Sequence, residues 1–334
     1  MGHRKYSAPR RGSIAFRPRA RAKSLEPRVR TWPSDPEQKA ALLAFAGFKV
    51  GAVQVLTTDD REKTPNFGKH ILNAATVIAT PPIRIMGIRG YKEDNYGKHA
   101  IFDVYTKDSI KELSNKVSLK YRQESFSEAE SMLDNTTLIR AIAAVMPHKI
   151  HISQKRPFIF ELPVSGKDPT ECYRYVKSLL DKELRITDVF RVGQNLDVSG
   201  ITRGKGVEGP VTRFGIKRKQ HKSRKSVRAV GTLGPISPAV VMYTVARQGQ
   251  RGFHQRTEYN KRILIMSSVK RAKLDQAINP PGGFKHFGLV DGDYIVVRGS
   301  IPGVPKRLIK MRLPIRNIQK KIVEPKILEV ITKK

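Results

Sequence analysis

Several residue types are scarce in this chain, and each scarcity excludes something. A single cysteine, Cys172, stands among 334 residues. The chain can therefore form no internal disulfide and no multi-thiolate zinc site, which suits a reducing compartment. Tryptophan also occurs once, as Trp32. Acids are few: 29 Asp and Glu face 64 Lys and Arg, for a formal net charge of +35. A compact chain with that charge repels itself, and a polyanionic partner relieves the repulsion. No apolar run approaches the roughly 20 residues of a bilayer span, so no membrane partner is expected. The N-terminus lacks the apolar core of a secretory signal. It is Arg-rich and acid-poor like a mitochondrial transit peptide, but Pro9, Pro18 and Pro27 break the amphipathic helix that reading requires.

The chain does have a core of ordinary size and two segments of dense positive charge. Hydrophobic residues make up 39% of it, enough to bury a real interior. Residues 1–40 hold 11 cations and 3 acids, and residues 200–262 hold 15 cations and 2 acids. Residues 1–36 have few apolar residues and several prolines, which predicts an extended arm. Residues 37–46 read as a short helix leading in. FKVGAVQVL (48–56) alternates as a strand does, and β-rich runs follow within 74–90 and 99–106, with Pro81 and Pro82 marking a turn or edge.

The period then changes. Residues 109–122 and 127–146 read as helices, and 156–164 as a strand. Asp168, Pro169 and Glu171 form a helix start, and Tyr173, Val176, Leu180 and Leu184 share one face of that helix. Strands are predicted again at 190–198, 263–269, 294–298 and 306–313, with turns at Pro280–Gly283 and Ile301–Gly303. Short strands, many turns and one helical block predict a mainly β protein: a small barrel interrupted by an α/β insertion. The implied organisation is a basic arm (1–40), a first barrel segment (41–108), the insertion (109–186), a barrel strand (187–199), a basic loop (200–262), and a closing barrel segment with the C-terminal tail (263–334).

Gly204, Gly206 and Gly209 spell the dinucleotide pattern G-x-G-x-x-G, which would make this a nucleotide-dependent enzyme. That fingerprint needs a helix opening at the glycines and an acid about twenty residues on for the ribose. Pro210 follows instead, then VTRFGIKRKQHKSRKS, with no apolar face to lay on a sheet. Arg224, Lys225 and Arg228 occupy the neighbourhood of the expected acid. Glycine without a Cβ permits close backbone approach, and Arg and Lys neutralise phosphates. The stretch therefore reads as a strand that threads between nucleic-acid helices; the plain alternative is a solvated charged loop, although compact domains seldom carry so long an irregular segment without a use. Further on, RQGQRGFHQRTEYNKR (247–262) adds Phe253, His254 and Tyr259, planar groups able to stack on unpaired bases or simply to anchor the loop.

Other candidate chemistry is weak. His148 and His151 form HxxH without a metalloprotease Glu or a third ligand. Cys172 has no basic neighbour and reads as a buried, inert thiol. Glu128, Glu130 and Asp134 read as a solvated helix face. No catalytic residues emerge, and no metal site.

Four separated motifs then fall in one order: HRKYSAPRRGSIAFRPR, GITRGKGVEGPVTRFGIK, VARQGQRGFHQRTEYNKRI, and PPGGFKHFGLV with GSIPGVPKR. Together they resemble the universal large-subunit ribosomal protein L-three family, of archaeal or eukaryotic type. The resemblance implies a closed Greek-key β-barrel of the translation-protein kind, broken by an α/β insertion, on the outer face of the large subunit. The arm and central loop would run inward through large-subunit ribosomal RNA, supporting assembly and making the protein non-enzymatic. Its partners would be that RNA and neighbouring large-subunit proteins, with no small-molecule substrate and no cofactor beyond magnesium carried by the RNA.

Candidate RNA contacts are Arg4, Lys5, Arg10, Arg11, Arg17, Arg19 and Arg21 on the arm. On the loop they are Arg203, Lys205, Arg213, Lys217, Arg218, Lys219, Lys222, Arg224, Lys225, Arg228, Arg247, Arg251, Phe253, His254 and Arg256. In relatives the loop tip approaches the peptidyl transferase centre; the matching residues are Gly234, Pro235, Ile236 and Ser237 within 231–239. Ile236 stands where relatives carry a tryptophan, and GFKVGAV (47–53) also departs from their pattern. The rival from bulk charge alone is a DNA-binding architectural protein.

Overall fold

Apolar residues recurring at every second position mark many of the strands. The computed structural model describes residues 17–33, 39–106, 126–223, 225–268, 278–316 and 322–332. In chain order the strands are β1 (Ala41–Leu42), β2 (Ala44–Thr58), β3 (His70–Ala79), β4 (Ile83–Asp94) and β5 (Gly97–Tyr105), followed by β6 (Leu138–Val145), β7 (Phe158–Ser165), β8 (Glu183–Leu184) and β9 (Asn195–Ile201). Then come β10 (Val207–Glu208), β11 (Gly249–Gln250), β12 (Gln255–Ser268), β13 (Asp293–Arg298), β14 (Leu308–Arg312) and β15 (Ile327–Ile331). The α-helices are α1 (Phe126–Ser131), α2 (Pro169–Leu179) and α3 (Pro210–Phe214). The protein is mainly β, as expected.

Two compact units result. One comprises Met1–Leu25 with Ile201–Gln255, and the other Glu26–Gly200 with Arg256–Lys334. The larger unit contains two sheets. One runs in the order β14-β9-β12-β13-β3-β2-β15, and β14 pairs with β2 as well as with β9. Phe45, Phe48, Val55, Val77, Leu196, Tyr294 and Val296 of its strands are each almost wholly buried. Gly51 sits at a bulge between β2 and β3, where a Cβ would lie 2.6 Å from the Phe284 ring. Within GFKVGAV, Phe48, Val50 and Val53 are buried, so the departure there is a variation of the core.

The second sheet runs β1-β7-β6-β4-β5, with β8 on β4. It includes β4 and β5, which the sequence reading grouped with the first barrel segment (41–108). On one face lies α2, burying Cys172, Tyr173 and Val176, with Tyr173 edge-on to Phe102 at 6.3 Å. Asp168 occupies the N-cap position before Pro169, but its side chain makes no cap bond. The opposite face carries a polar cluster. Glu161 Oε1 accepts from Arg89 and from the Tyr91 hydroxyl, each at 2.7 Å, and Oε2 accepts from Arg140 at 2.7 Å. Arg89 also forks onto Asp103.

Two helical expectations are overturned. Of residues 37–46, those described from 41 onward are strand apart from Leu43. Of 127–146, only the beginning belongs to α1; Leu133–Asn135 is a 3-10 turn and Leu138–Val145 is β6. Ala44–Ala46 and Leu138–Val145 are buried almost continuously, so their apolar residues show no period that separates helix from strand. The helix expected over 109–122 lies outside the described residues.

The charge centre of the larger unit is Asp197, fully buried on β9. Its Oδ2 accepts from Arg312 Nε at 3.3 Å and Nη2 at 3.2 Å, and from the Ile315 amide at 3.3 Å; its Oδ1 accepts from the Asn260 amide at 3.0 Å. Arg312 is itself buried and donates to the Thr31 carbonyl. Removing one partner leaves an uncompensated buried charge.

Two outcomes are expected. Asp197→Ala should lose about 3–5 kcal/mol in urea unfolding, and a double Asp197→Leu, Arg312→Leu variant should lose less. Burial pushes the Glu161 carboxyl up, but hydrogen bonds from Tyr91, Arg140 and Arg89 outweigh it and hold the group below its usual range. A carboxyl depressed in the fold contributes stability that is present above its unfolded pKa and lost as pH falls through the folded value. Thermal unfolding of Glu161→Gln should therefore show a weaker loss of stability below about pH 4.5 than the parent chain shows. Parallel pH curves would refute this.

Candidate nucleic-acid interface

The smaller unit is organised by a two-stranded ladder. Val207 and Glu208 of β10 pair antiparallel with Gln250 and Gly249 of β11. The pairing continues toward the base of the ladder: Arg251 N donates to Gly206 O at 2.9 Å, Lys205 N to Arg251 O at 3.0 Å, Phe253 N to Arg203 O at 3.2 Å, and Thr202 N to His254 O at 2.9 Å. Gly252 is required there. Its φ is +71°, and a Cβ would fall 2.0 Å from Arg203 O. Phe253 follows at φ +52°, an uncommon conformation for a bulky residue and one held by its backbone bonds.

The arm packs beside this ladder as backbone, not only as charge. Ala22 N donates to Phe253 O at 2.8 Å, and His254 Nδ1 bonds Ala20 O at 2.8 Å. His254 is buried and Phe253 half-buried beneath Arg21, whose guanidinium lies 5.5 Å from the ring centroid. Both of these candidate stacking groups are thus engaged within the unit.

Beyond the ladder, α3 opens at the glycine pattern, where the sequence reading predicts no helix. It is five residues long, buries only Phe214, and stops at Gly215 with φ +70°. The β10 strand before it pairs antiparallel and lasts two residues. The strand, long helix and parallel sheet of a dinucleotide site are therefore not what Gly204, Gly206 and Gly209 build.

Phe214 instead organises arginines. Arg19, Arg213 and Arg17 lie 4.2, 5.0 and 5.7 Å from its ring centroid, and Arg17 is also 5.5 Å from Tyr243. Arg213 donates to Gln250 O at 3.0 Å and Arg247 O at 3.1 Å, and Arg19 donates to Arg213 O. Burial, then the charge of Arg17 and Arg251, pulls the Arg19 pKa down; burial, then Arg19 and Arg17, does the same to Arg213. The one acid in the unit, Glu208, is taken by Arg251 at 2.6 Å. A ring face attracts cations but supplies no counter-charge. The arrangement holds guanidiniums together and leaves them suited to anions.

The remaining candidates distribute as follows. Arg17, Arg21, Arg203, Lys205, Lys217, Arg218, Lys222, Lys225, Arg228 and Arg247 are exposed. Arg19, Arg213, Lys219 and Arg251 are half-buried, and so is Arg256, which lies on β12 in the larger unit. Arg228 bonds Thr212 Oγ1 at 3.1 Å, and Lys219 N bonds Val227 O at 3.0 Å. Arg4, Lys5, Arg10, Arg11 and Arg224 lie outside the described residues. At the tip, Gly234, Pro235, Ile236 and Ser237 are all exposed, Ile236 by 97%. Leu233, Val240, Val241, Met242 and Tyr243 are exposed beside it. An apolar run left in water points to something that covers it.

Two residues escape the sequence reading: Phe214 and Tyr243. Their signal is an aromatic set among cations, as in TRFGIKRK and MYTVAR, which Phe253 and His254 show more densely. Elsewhere, His148 and His151 are exposed, with His151 Nε2 3.0 Å from Asp291 Oδ2. Cys172 is buried, donates to Ser165 O at 3.7 Å, and has its pKa pushed up by burial. Glu128, Glu130 and Asp134 are exposed.

The family described as Ribosomal protein L3 matches residues 1–334. Three similar proteins each bear the name Large ribosomal subunit protein uL3. That of Caldivirga maquilingensis is 43% identical over 329 residues, covering 93% of this chain and 91% of the relative. That of Methanococcoides burtonii is 42% identical, covering 99% and 98%. That of Methanococcus vannielii is 39% identical, covering 98% and 97%.

Gly252→Ala should open the ladder. The amides of Lys205, Arg251 and Phe253 are expected to exchange hydrogen faster by the equivalent of about 1–3 kcal/mol. Unchanged exchange at these three sites would remove the steric argument.

Proposed function

Because this chain belongs to the Ribosomal protein L3 family, we propose that it is a structural, non-enzymatic part of the large ribosomal subunit that holds ribosomal RNA by neutralising phosphates. The observation that carries the reading is the gathering of Arg17, Arg19 and Arg213 on one ring, with Glu208 the only acid in the unit and already paired. Arginine binds phosphate through two donors, and a glycine-rich backbone lets the chain lie close to RNA. On this reading the exposed cations from Arg203 to Arg228 follow phosphates of packed RNA helices. The circuit from β14 through β9, β12, β13, β3 and β2 back to β14 is read as a closed Greek-key barrel. The partners are large-subunit ribosomal RNA and neighbouring proteins of the subunit, and the RNA carries any magnesium required. None of the described helices is long and apolar enough to cross a membrane.

Each phosphate neutralised releases counterions, and log K falls by roughly 0.7–0.9 per log unit of salt per contact. With about ten contacts, the full chain should bind a large-subunit RNA fragment with a salt slope steeper than about −5. A slope near −1, or equal retention by competing duplex DNA, would refute the reading.

The tip is read as extending toward the peptidyl transferase centre. Cys172 is buried, so a hydroxyl-radical source tethered through Ser237→Cys labels the tip selectively. In assembled large subunits, strand cleavage should centre on RNA of the catalytic centre. Cleavage confined to the subunit surface would contradict the placement.

A further inference from the structure

The smaller unit contains a cleft whose chemistry is more specific than a charged surface. Arg17, Pro18, Arg19, Ala20, Arg213 and Tyr243 line an opening of about 470 Å³. Small-ligand sites fall at roughly 300–1,000 Å³. The cavity beside Asp59, Asp60 and Arg262 in the larger unit encloses only about 10 Å³, space for a water at most.

Every charged group on the cleft wall is a guanidinium, and among the described residues no carboxylate faces it. Charge alone would suit any phosphate. The other walls narrow the choice. Tyr243 presents a planar ring that is 71% exposed, with the Arg17 guanidinium 5.5 Å from its centroid. Pro18 adds a flat apolar surface beside it. Guanidiniums next to an open aromatic plane match a phosphate joined to a planar base. The concave shape suits a nucleotide that has left its helix, because a stacked duplex offers no single base to enclose.

We infer that this cleft receives one unpaired RNA nucleotide, its base lying on Tyr243 and its phosphate among Arg17, Arg19 and Arg213. The inference rests on the RNA-binding reading above and narrows it from a charged surface to a defined pocket. Phe214 acts here as a positioning residue: it fixes the three arginines from below while Tyr243 meets the base. Burial and mutual repulsion, which lower the pKa of Arg19 and Arg213, favour an anion at the same place.

The test uses the full chain and a protein-free large-subunit RNA fragment, comparing wild type, Tyr243→Ala and Tyr243→Phe. Tyr243 is exposed, so neither change disturbs the fold. Tyr243→Ala should weaken binding about tenfold while leaving the salt slope unchanged, because a neutral stacking contact is lost. Tyr243→Phe should stay within about twofold of wild type, since the ring is kept. Ribose acylation should find one unpaired nucleotide shielded by wild type and by Tyr243→Phe, and released by Tyr243→Ala. Wild-type affinity in Tyr243→Ala, or equal loss in both variants, overturns the pocket. Steep salt dependence with no Tyr243 effect sinks the pocket alone, whereas a shallow wild-type slope sinks the RNA reading itself.

Discussion

Like charges held close together without a counter-ion are unstable, and the smaller unit is built from them. Unit charges about 5 Å apart repel by roughly 3 kcal/mol at an effective dielectric near 20. Met1–Leu25 and Ile201–Gln255 together carry 20 cations and one acid. Backbone bonds and aromatic rings hold the arginines in place: Gln250 O and Arg247 O accept from Arg213, and Phe214 lies under three guanidiniums. Those contacts position charge without cancelling it. The unit's geometry is therefore suited to a polyanion.

The larger unit pairs its more buried charges internally. Asp197 meets Arg312, Asp60 meets Arg262, Glu26 meets Lys310, and Glu161 meets Arg89 and Arg140. Of the chain's 29 acids, 28 lie in that unit, whose core is packed antiparallel sheet. The division of labour is thus visible in the placement of acids. One unit pairs many of its cations with its own carboxylates, keeping 44 cations to 28 acids, and folds around apolar strands; the other has 20 cations to one acid.

Much of this is legible in the sequence, for physical reasons. Clustered cations cannot be hidden by any fold, so charge alone marks the candidate interface. Strands such as β9, β13 and β14 declare themselves by β-branched residues between turns. Ala44–Ala46 and Leu138–Val145 do not. Buried on both faces, they show no alternation of polar and apolar residues, Arg140 being the one polar side chain, and alanine and leucine lean toward helix until strand pairing overrides them. Within the site, charge is legible and packing is not. His254 reads as a stacking group, yet its ring is buried against Ala20 O, a bond spanning the chain that no local pattern announces. Phe214 and Tyr243 go unnoticed for the same reason: their meaning comes from Arg17 and Arg19, some two hundred residues away.

The central claim is that the cationic unit completes its structure only against RNA phosphates. Amide hydrogen exchange of the full chain, free and in assembled large subunits, tests it most directly. Fast exchange is predicted over 216–223 and 225–248 in the free chain and strong protection in the subunit, while β2, β3 and β13 are protected in both. Equal exchange of the cationic stretch in the two states would contradict it.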